Sequence, residues 1–196
     1  MGKMYYAENP DAEHDIHDLR VQLLGEDFHF YTDAGVFSKK MIDYGSQALL
    51  SVLNFSAGQS LLDLGCGYGP LGISLAKVQN LKVTMVDINQ RALELARKNA
   101  RRNGVEVDIY QSNIYDQVKG RFDQIISNPP IRAGKQVVHD ILEGAYDHLK
   151  PGGSLTTVIQ KKQGAPSAKA KMAQVFGNVE VVKKDKGYYI LRSIKE

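Results

Sequence analysis

Residues 61–70 read Leu-Leu-Asp-Leu-Gly-Cys-Gly-Tyr-Gly-Pro, and no other stretch restricts the fold as much. A short apolar run stops, three glycines alternate, and a proline stands where a helix would begin. Glycine lets the backbone take positive φ and lets a ligand approach the chain closely. Pro70 suits a first helical turn, where no N–H partner is needed. A strand, a glycine loop and a helix in that order mark the carboxyl edge of an open parallel sheet, where ligands bind.

The rest of the chain agrees. With 196 residues, about one domain is expected. Val21, Leu23, Phe28 and Phe30 alternate with polar residues in the runs 20–24 and 28–32, which predicts a β-hairpin turning at Gly25-Glu26-Asp27. From about Lys39 onward, strands and helices alternate as in a parallel α/β sheet. Helices are expected over 41–55, 71–78, 89–103, 134–149 and 167–176, with Gly104 stopping the third. Strands are expected over 60–64, 82–87, 106–110, 122–127, 154–160, 179–183 and 188–192, with Pro151-Gly152-Gly153 as a turn and Asp185-Lys186-Gly187 closing a hairpin. The fold class is α/β: a doubly wound sheet, mostly parallel, ending in an antiparallel hairpin and preceded by an N-terminal one. The division expected is 1–38 as arm and hairpin and 39–196 as the main domain.

Composition narrows the class further. Lys and Arg number 25 against 22 Asp and Glu, a net of +3, which permits a nucleic-acid partner without requiring one. No run approaches the roughly 18 apolar residues that a membrane helix needs, and the polar, acidic start is unlike a secretory leader. The single cysteine, Cys66, cannot form an intrachain disulfide, so a cytoplasmic protein without membrane attachment is expected. His14, His17, His29, His139 and His148 show no ligand spacing with carboxylates or Cys66, so no metal site is expected.

Two cofactors compete for the glycine loop. Residues 67–72 match G-x-G-x-x-G, and Asp87 follows Gly67 by about 20 residues, as in a dinucleotide fingerprint. That register would bury Gly65 and Cys66 in the strand and weaken it. The register starting at Gly65 puts Asp63 at the strand end, where a carboxylate suits an ammonium or sulfonium and repels a pyrophosphate. It favours S-adenosylmethionine over NAD. Asp87 ends the next strand and can accept both hydroxyls of a ribose.

Residues 127–131 read Ser-Asn-Pro-Pro-Ile after the fourth strand of the sheet. Pro129 and Pro130 remove two backbone donors, and the first pushes Asn128 into an extended conformation. The product is a rigid acceptor pair, the Asn128 side-chain oxygen and the Pro129 carbonyl. An exocyclic amino group that gives both hydrogens to such a pair turns its lone pair toward an electrophile, and placement supplies the catalysis.

These stretches, with Gly35-Val36-Phe37-Ser38, Asp43-Tyr44-Gly45-Ser46, Val86-Asp87-Ile88-Asn89 and Pro151-Gly152-Gly153, resemble the class I S-adenosylmethionine-dependent methyltransferases. Within them the chain looks like the small single-domain relatives of the 16S ribosomal RNA guanine-N2 methyltransferase. The resemblance runs from about Phe28 to Arg192 and implies a Rossmann-like sheet. It implies that Asp63, Gly65, Cys66, Gly67 and Gly69 hold the methionine end of the cofactor. Asp87 and Ile88 would then meet the ribose, and Asn113 would flank the adenine. Asn128, Pro129 and Pro130 would hold the target amino group, with the hairpin and Phe37 closing over the cofactor as a flap. Many relatives carry an aromatic residue after Asn-Pro-Pro; Ile131 stands there instead, leaving Phe37, Tyr31 or Tyr68 to stack on a base.

Charge is uneven. Residues 1–37 hold two basic residues against eight acids, and residues 161–196 hold nine against three. Arg132 and Lys135 follow the Asn-Pro-Pro turn and, with Ile131, are the expected substrate contacts; Lys183, Lys184 and Lys186 read as a solvated hairpin. The function expected is N-methylation of ribosomal RNA at guanine N2 by a monomer or homodimer. The alternatives are a protein glutamine or a nucleic-acid adenine as target, an NAD-linked oxidoreductase, and a non-catalytic RNA-binding factor.

Overall fold

The computed structural model describes Tyr6, Glu8, residues 13–34 and residues 40–196. Strands β1 (His17–Leu23) and β2 (Glu26–Thr32) form the N-terminal hairpin. Leu24 and Gly25 make the turn, both at positive φ (52° and 82°), a two-residue connection whose twist matches the strands. The turn is therefore tighter than the expected Gly25-Glu26-Asp27, and β2 starts at Glu26.

The second sheet contains β3 (Ser60–Leu64), β4 (Lys82–Asp87), β5 (Asp108–Gln111), β6 (Phe122–Ser127), β7 (Leu149–Gln160), β8 (Glu180–Asp185) and β9 (Tyr188–Ile194). Their order is β5-β4-β3-β6-β7-β9-β8. The first five strands run parallel, β9 runs antiparallel to β7, and β8 runs antiparallel to β9. The chain builds outward from β3 to β5, then returns to the other side of β3 at β6. That reversal is a topological switch point, where the connections diverge and leave a crevice at the carboxyl ends.

Successive strand residues sort into two cores, as a period of two requires. Leu61, Met85, Ile126, Val158 and Ile190 pack with the hairpin and with α1 (Tyr44–Leu50), α2 (Pro70–Gln79) and α3 (Gln90–Arg102). Leu62, Val86, Ile125, Ile159 and Leu191 pack with α4 (Lys135–Gly144) and α5 (Ala165–Phe176). None of the described helices is long and apolar enough to cross a membrane.

Element ends depart from the sequence reading for local reasons. α1 is shorter than 41–55, because Asp43 caps it by accepting from Ser46 N at 2.9 Å and the chain leaves the helix at Ser51. α4 stops at Gly144, and β7 then absorbs Pro151-Gly152-Gly153 through a register shift opposite Phe122 and Gln124. Gly153 permits that approach, since a Cβ there would lie 2.7 Å from the Asp123 carbonyl. α5 begins two residues before Ser167, with Pro166 in its first turn.

The hairpin attaches through more than its apolar face. Phe28 and Phe30 are buried, and Phe30 meets the Tyr68 ring edge-on at 5.9 Å. Asn103 and Asn99, one turn apart on α3, bond the outer edge of β2. Asn103 accepts from His29 N at 3.0 Å and donates to its carbonyl at 2.9 Å. Asn99 accepts from Tyr31 N at 2.7 Å and donates to the carbonyls of Tyr31 (3.0 Å) and Tyr68 (2.9 Å). Two amide side chains thus stand in for a neighbouring strand and cover an edge that would otherwise be open. Asn99→Ala leaves one buried and two part-buried backbone groups without these bonds. At about 1–3 kcal/mol for each such group, it is expected to shift the urea midpoint well below that of an exposed control such as Lys98→Ala.

Candidate functional site

A cavity of about 780 Å³ opens over the carboxyl ends of β3, β4, β6 and β7. Gly65, Cys66 and Gly67 line it with Asp87, Ile88, Asn113, Asn128, Pro129, Pro130, Ile131 and Arg132. Three of the described sequence-derived residues are not among the lining. Asp63, Gly69 and Lys135 lie elsewhere, and Phe37 falls outside the described residues. No residue of the described hairpin lines the cavity, so the hairpin braces the glycine loop and α3 from behind. Tyr31 is absent from the lining; Tyr68 is present but 3% exposed.

β3 ends at Leu64, and Gly65 turns away at φ 76°, so the loop takes the register that starts at Gly65. The NAD-type register would have continued the strand through Cys66. The three glycines do different work. A Cβ on Gly65 or Gly67 would meet nothing within 4 Å, which leaves the backbone open to a ligand. A Cβ on Gly69 would lie 2.6 Å from Ile73 Cδ1 and 2.8 Å from Met85 Cε, so Gly69 serves packing. Gly65 N and Cys66 N both donate to the Val86 carbonyl at 2.9 Å, and Gly67 N donates to Asp87 Oδ2 at 2.8 Å. Asp87 Oδ1 accepts from Asn89 N at 2.9 Å. Burial raises the Asp87 carboxyl above the ordinary range, and these N–H groups oppose the rise.

Asp63 is fully buried beneath the loop and not beside the ligand space. Its Oδ2 accepts from Gly72 N at 2.9 Å, and its Oδ1 has no hydrogen-bond partner. Burial first, and the nearby Asp87 charge to a lesser extent, push the carboxyl up to about 7 against the lowering effect of the Gly72 N–H. The Cys66 thiol is also buried and raised, which removes it as a nucleophile.

The opposite half of the cavity is organised around Asn128. Ser127 Oγ donates to the Leu64 carbonyl at 2.8 Å, and Thr157 Oγ1 donates to the Ser127 carbonyl at 2.9 Å, strapping the end of β6 between its neighbours. Asn128 Nδ2 then donates to Asp43 Oδ1 (3.1 Å), Asp43 Oδ2 (3.3 Å) and Ser46 Oγ (3.1 Å). A carboxylate can only accept, so the nitrogen is identified and the amide is oriented by its partners. Asn128 Oδ1 and the Pro129 carbonyl accept no hydrogen bond among the described residues. Asp43 and Ser46 were noticed in the sequence only within a matching stretch. The signal for their placement is the Asp-x-x-Ser spacing of a helix cap.

The model of the methyltransferase small domain matches residues 27–192. The chain belongs to that family. An uncharacterized protein of Bacillus subtilis, YbxB, is 46% identical across the full length of both chains. Ribosomal RNA small subunit methyltransferase C of Escherichia coli K12 is 37% identical over 97% of this chain and 54% of its own length. The chain thus spans about half of that relative. Among solved structures, a 16S rRNA N2-guanine methyltransferase from Thermus thermophilus, in complex with AdoMet and guanosine, superposes with a TM-score of 0.85. Its identity is 26%, covering 92% of this chain and 51% of that one. A methyltransferase from Pyrococcus furiosus gives a TM-score of 0.68 at 29% identity, covering 76% and 80%.

The Thermus thermophilus structure holds AdoMet, and the donor set of this chain fits such a ligand. The open backbone at Gly65 and Gly67 and the strand-end carboxylate of Asp87 suit a glycine-floored site for a ligand that carries a ribose. The buried Asp63 also sets a pH dependence. Its folded value near 7 lies above the ordinary carboxylate value of 3.8, so the unfolded chain loses this proton first. Stability should fall as pH rises from about 4 through about 7 and then level off. Asp63→Asn should remove that slope, making the variant gain on the wild type between pH 5 and pH 8 in urea melts without ligand.

Proposed function

We propose that the chain transfers a methyl group from S-adenosylmethionine to an exocyclic amino group of a base in small-subunit ribosomal RNA, with guanine N2 as the target. The observation that carries this reading is the locked Asn128 amide, whose nitrogen is consumed by Asp43 and Ser46 while its oxygen stays free beside the Pro129 carbonyl. When bound, the cofactor supplies a sulfonium methyl, an electrophile that needs an aligned lone pair more than a base.

Asn128 Oδ1 and the Pro129 carbonyl accept the two hydrogens of the amino group. Held that way, the nitrogen cannot keep its lone pair delocalised in the ring, and the pair points at the methyl. The nitrogen sheds one proton as it is methylated, and water at the cavity mouth takes it. Pro129 and Pro130 contribute rigidity, since the ring of each fixes its φ and neither N can donate to a competing acceptor. The Asn-Pro-Pro turn lies across β3 from Asp87, so the cavity spans from the ribose carboxylate to the amino-group acceptors.

The RNA partner is supported by the relatives named above and by unpaired charge. Arg132, Lys135, Lys161 and Lys162 are exposed and form no ion pair among the described residues, and Arg132 lines the cavity. Lys183 is engaged with Ser51 and Asp185.

Asn128→Ala should lower turnover by about 10²–10³, the usual cost of one preorganised polar contact to a reacting group, and leave cofactor affinity within a few-fold by calorimetry. Asp43→Ala should lower turnover less and follow the same split, because it frees the amide to rotate. Unchanged turnover in Asn128→Ala ends the mechanism.

Substrate class is read by offering labelled cofactor with small-subunit ribosomal RNA, an adenine-only RNA and a release-factor protein. Label in guanine of the ribosomal RNA is expected; label confined to the protein or to adenine moves the target while keeping the amino-group chemistry. Log affinity for RNA should fall with log salt, and Arg132→Glu with Lys135→Glu should weaken binding more than reversal of Lys183 and Lys184.

A further inference from the structure

Placement of the amino group fixes one atom of a base and leaves its plane undetermined. A flat partner must face the ring, and Ile131, next to the Asn-Pro-Pro turn, is aliphatic. Among the described residues the aromatic side chains that line the cavity are Tyr6, Tyr68 and Tyr188. Tyr68 is 3% exposed, with its ring against Phe30 and its own place in the glycine loop. Tyr6 belongs to the far end, two residues from Glu8, whose carbonyl accepts from Gln90 N at the start of α3.

Tyr188 remains, and its surroundings are built for a ring. It opens β9 directly opposite Gln160, the last residue of β7, so the two side chains share a face of the sheet. Both line the cavity and lie on the Asn128 side of β3. The Tyr44 ring supports it from behind at 5.5 Å and 48°. Gly45 makes the room, since a Cβ there would lie 3.0 Å from Tyr188 Cε1. Gly45 stands between Asp43 and Ser46, the two residues that grip Asn128. The ring is therefore fixed by the same turn of α1 that fixes the acceptor amide. Gln160 makes no side-chain hydrogen bond among the described residues and presents both a donor and an acceptor.

We propose that Tyr188 is the stacking platform for the target purine, with Gln160 beside it contacting the edge of the base. This rests on the RNA-base reading above. In physical terms it moves the ring–base contact from the residue after the Asn-Pro-Pro turn to the first residue of the antiparallel β9.

The test uses 2-aminopurine riboside, a fluorescent purine with an exocyclic amino group, whose emission is quenched on stacking. It is titrated into the full-length protein saturated with S-adenosylhomocysteine. Wild type and Tyr188→Phe should quench it, and Tyr188→Leu should lose the quench and at least tenfold in affinity. S-adenosylhomocysteine affinity within twofold in all three shows that the fold and the cofactor half are intact. With small-subunit ribosomal RNA, Tyr188→Leu should raise KM at least tenfold, with Tyr188→Phe close to wild type. Quenching and KM unchanged in Tyr188→Leu, while the wild type methylates the RNA, overturn the assignment of Tyr188 and leave the function standing. A wild type that neither quenches the riboside nor methylates the RNA overturns both.

Discussion

Two carboxylates, Asp63 buried and Asp87 half-buried in the cavity wall, decide the shape of the whole ligand edge. A strand that turns into a helix through glycines at φ 76°, 57° and 100° has N–H groups that neither a ladder nor a helix can use. Asp87 takes the one at Gly67, and Asp63 takes the one at Gly72 inside the first turn of α2. Gly72 is required for the second bond, because a Cβ there would crowd Met85 and approach Asp63 Oδ2 to 3.0 Å. Desolvation makes both carboxylates harder to ionise. The loop is thereby stabilised in an environment that favours an arriving cation, and binding and loop geometry draw on the same two side chains.

The other half of the cavity repeats that economy with a neutral group. Asp43 caps α1 through Ser46 N and also grips the Asn128 amide. Losing a cap costs roughly 1 kcal/mol, so the residue that orients the acceptor is also favoured by helix formation. Ser46 contributes twice as well, donating its hydroxyl to Asp43 at 2.7 Å and accepting from Asn128. The amide oxygen is left facing the ligand space because every competing partner lies on its nitrogen side.

What the sequence made legible follows from which interactions are local. Glycine spacing, proline placement and period-two alternation all act within a few residues, and they revealed the loop at Gly65, the Asn128 turn and all nine strands. The turn at Leu24 was missed because a leucine at φ 52° has no composition signal; the close of the hairpin imposes it. The strand-end position of Asp63 predicts a cofactor contact, and the structure adds that it is buried and bonded to Gly72 N, a depth that spacing along a strand cannot encode. Asn99 and Asn103 were invisible as functional supports, since asparagines within a helix announce nothing until a β-strand edge 68 to 74 residues away lies against them. Tyr188 has the same character: its place depends on β9 returning antiparallel beside β7.

Charge illustrates how pairing, more than sum, sets where a polyanion can dock. The acidic N-terminal segment does not oppose the basic C-terminal third at a distance; it pairs with two of the five basic residues of α3. Arg102 bonds Asp18 at 3.3 Å, lies over the Tyr31 ring at 4.1 Å and approaches His29, which itself pairs with Asp18. Arg91 pairs with the buried Asp33 at 3.6 Å. Lys171 on α5 is likewise held by Glu143 of α4 at 2.7 Å. Those cations are already desolvated or matched, so they have little to gain from a phosphate. Arg132, on the cavity wall, and Lys135, Lys161 and Lys162 are exposed and form no ion pair among the described residues. Pairing with the N-terminal segment thus takes Arg91 and Arg102 out of competition for an anion, while Arg97, Lys98 and Arg101 on the same helix form no ion pair among the described residues.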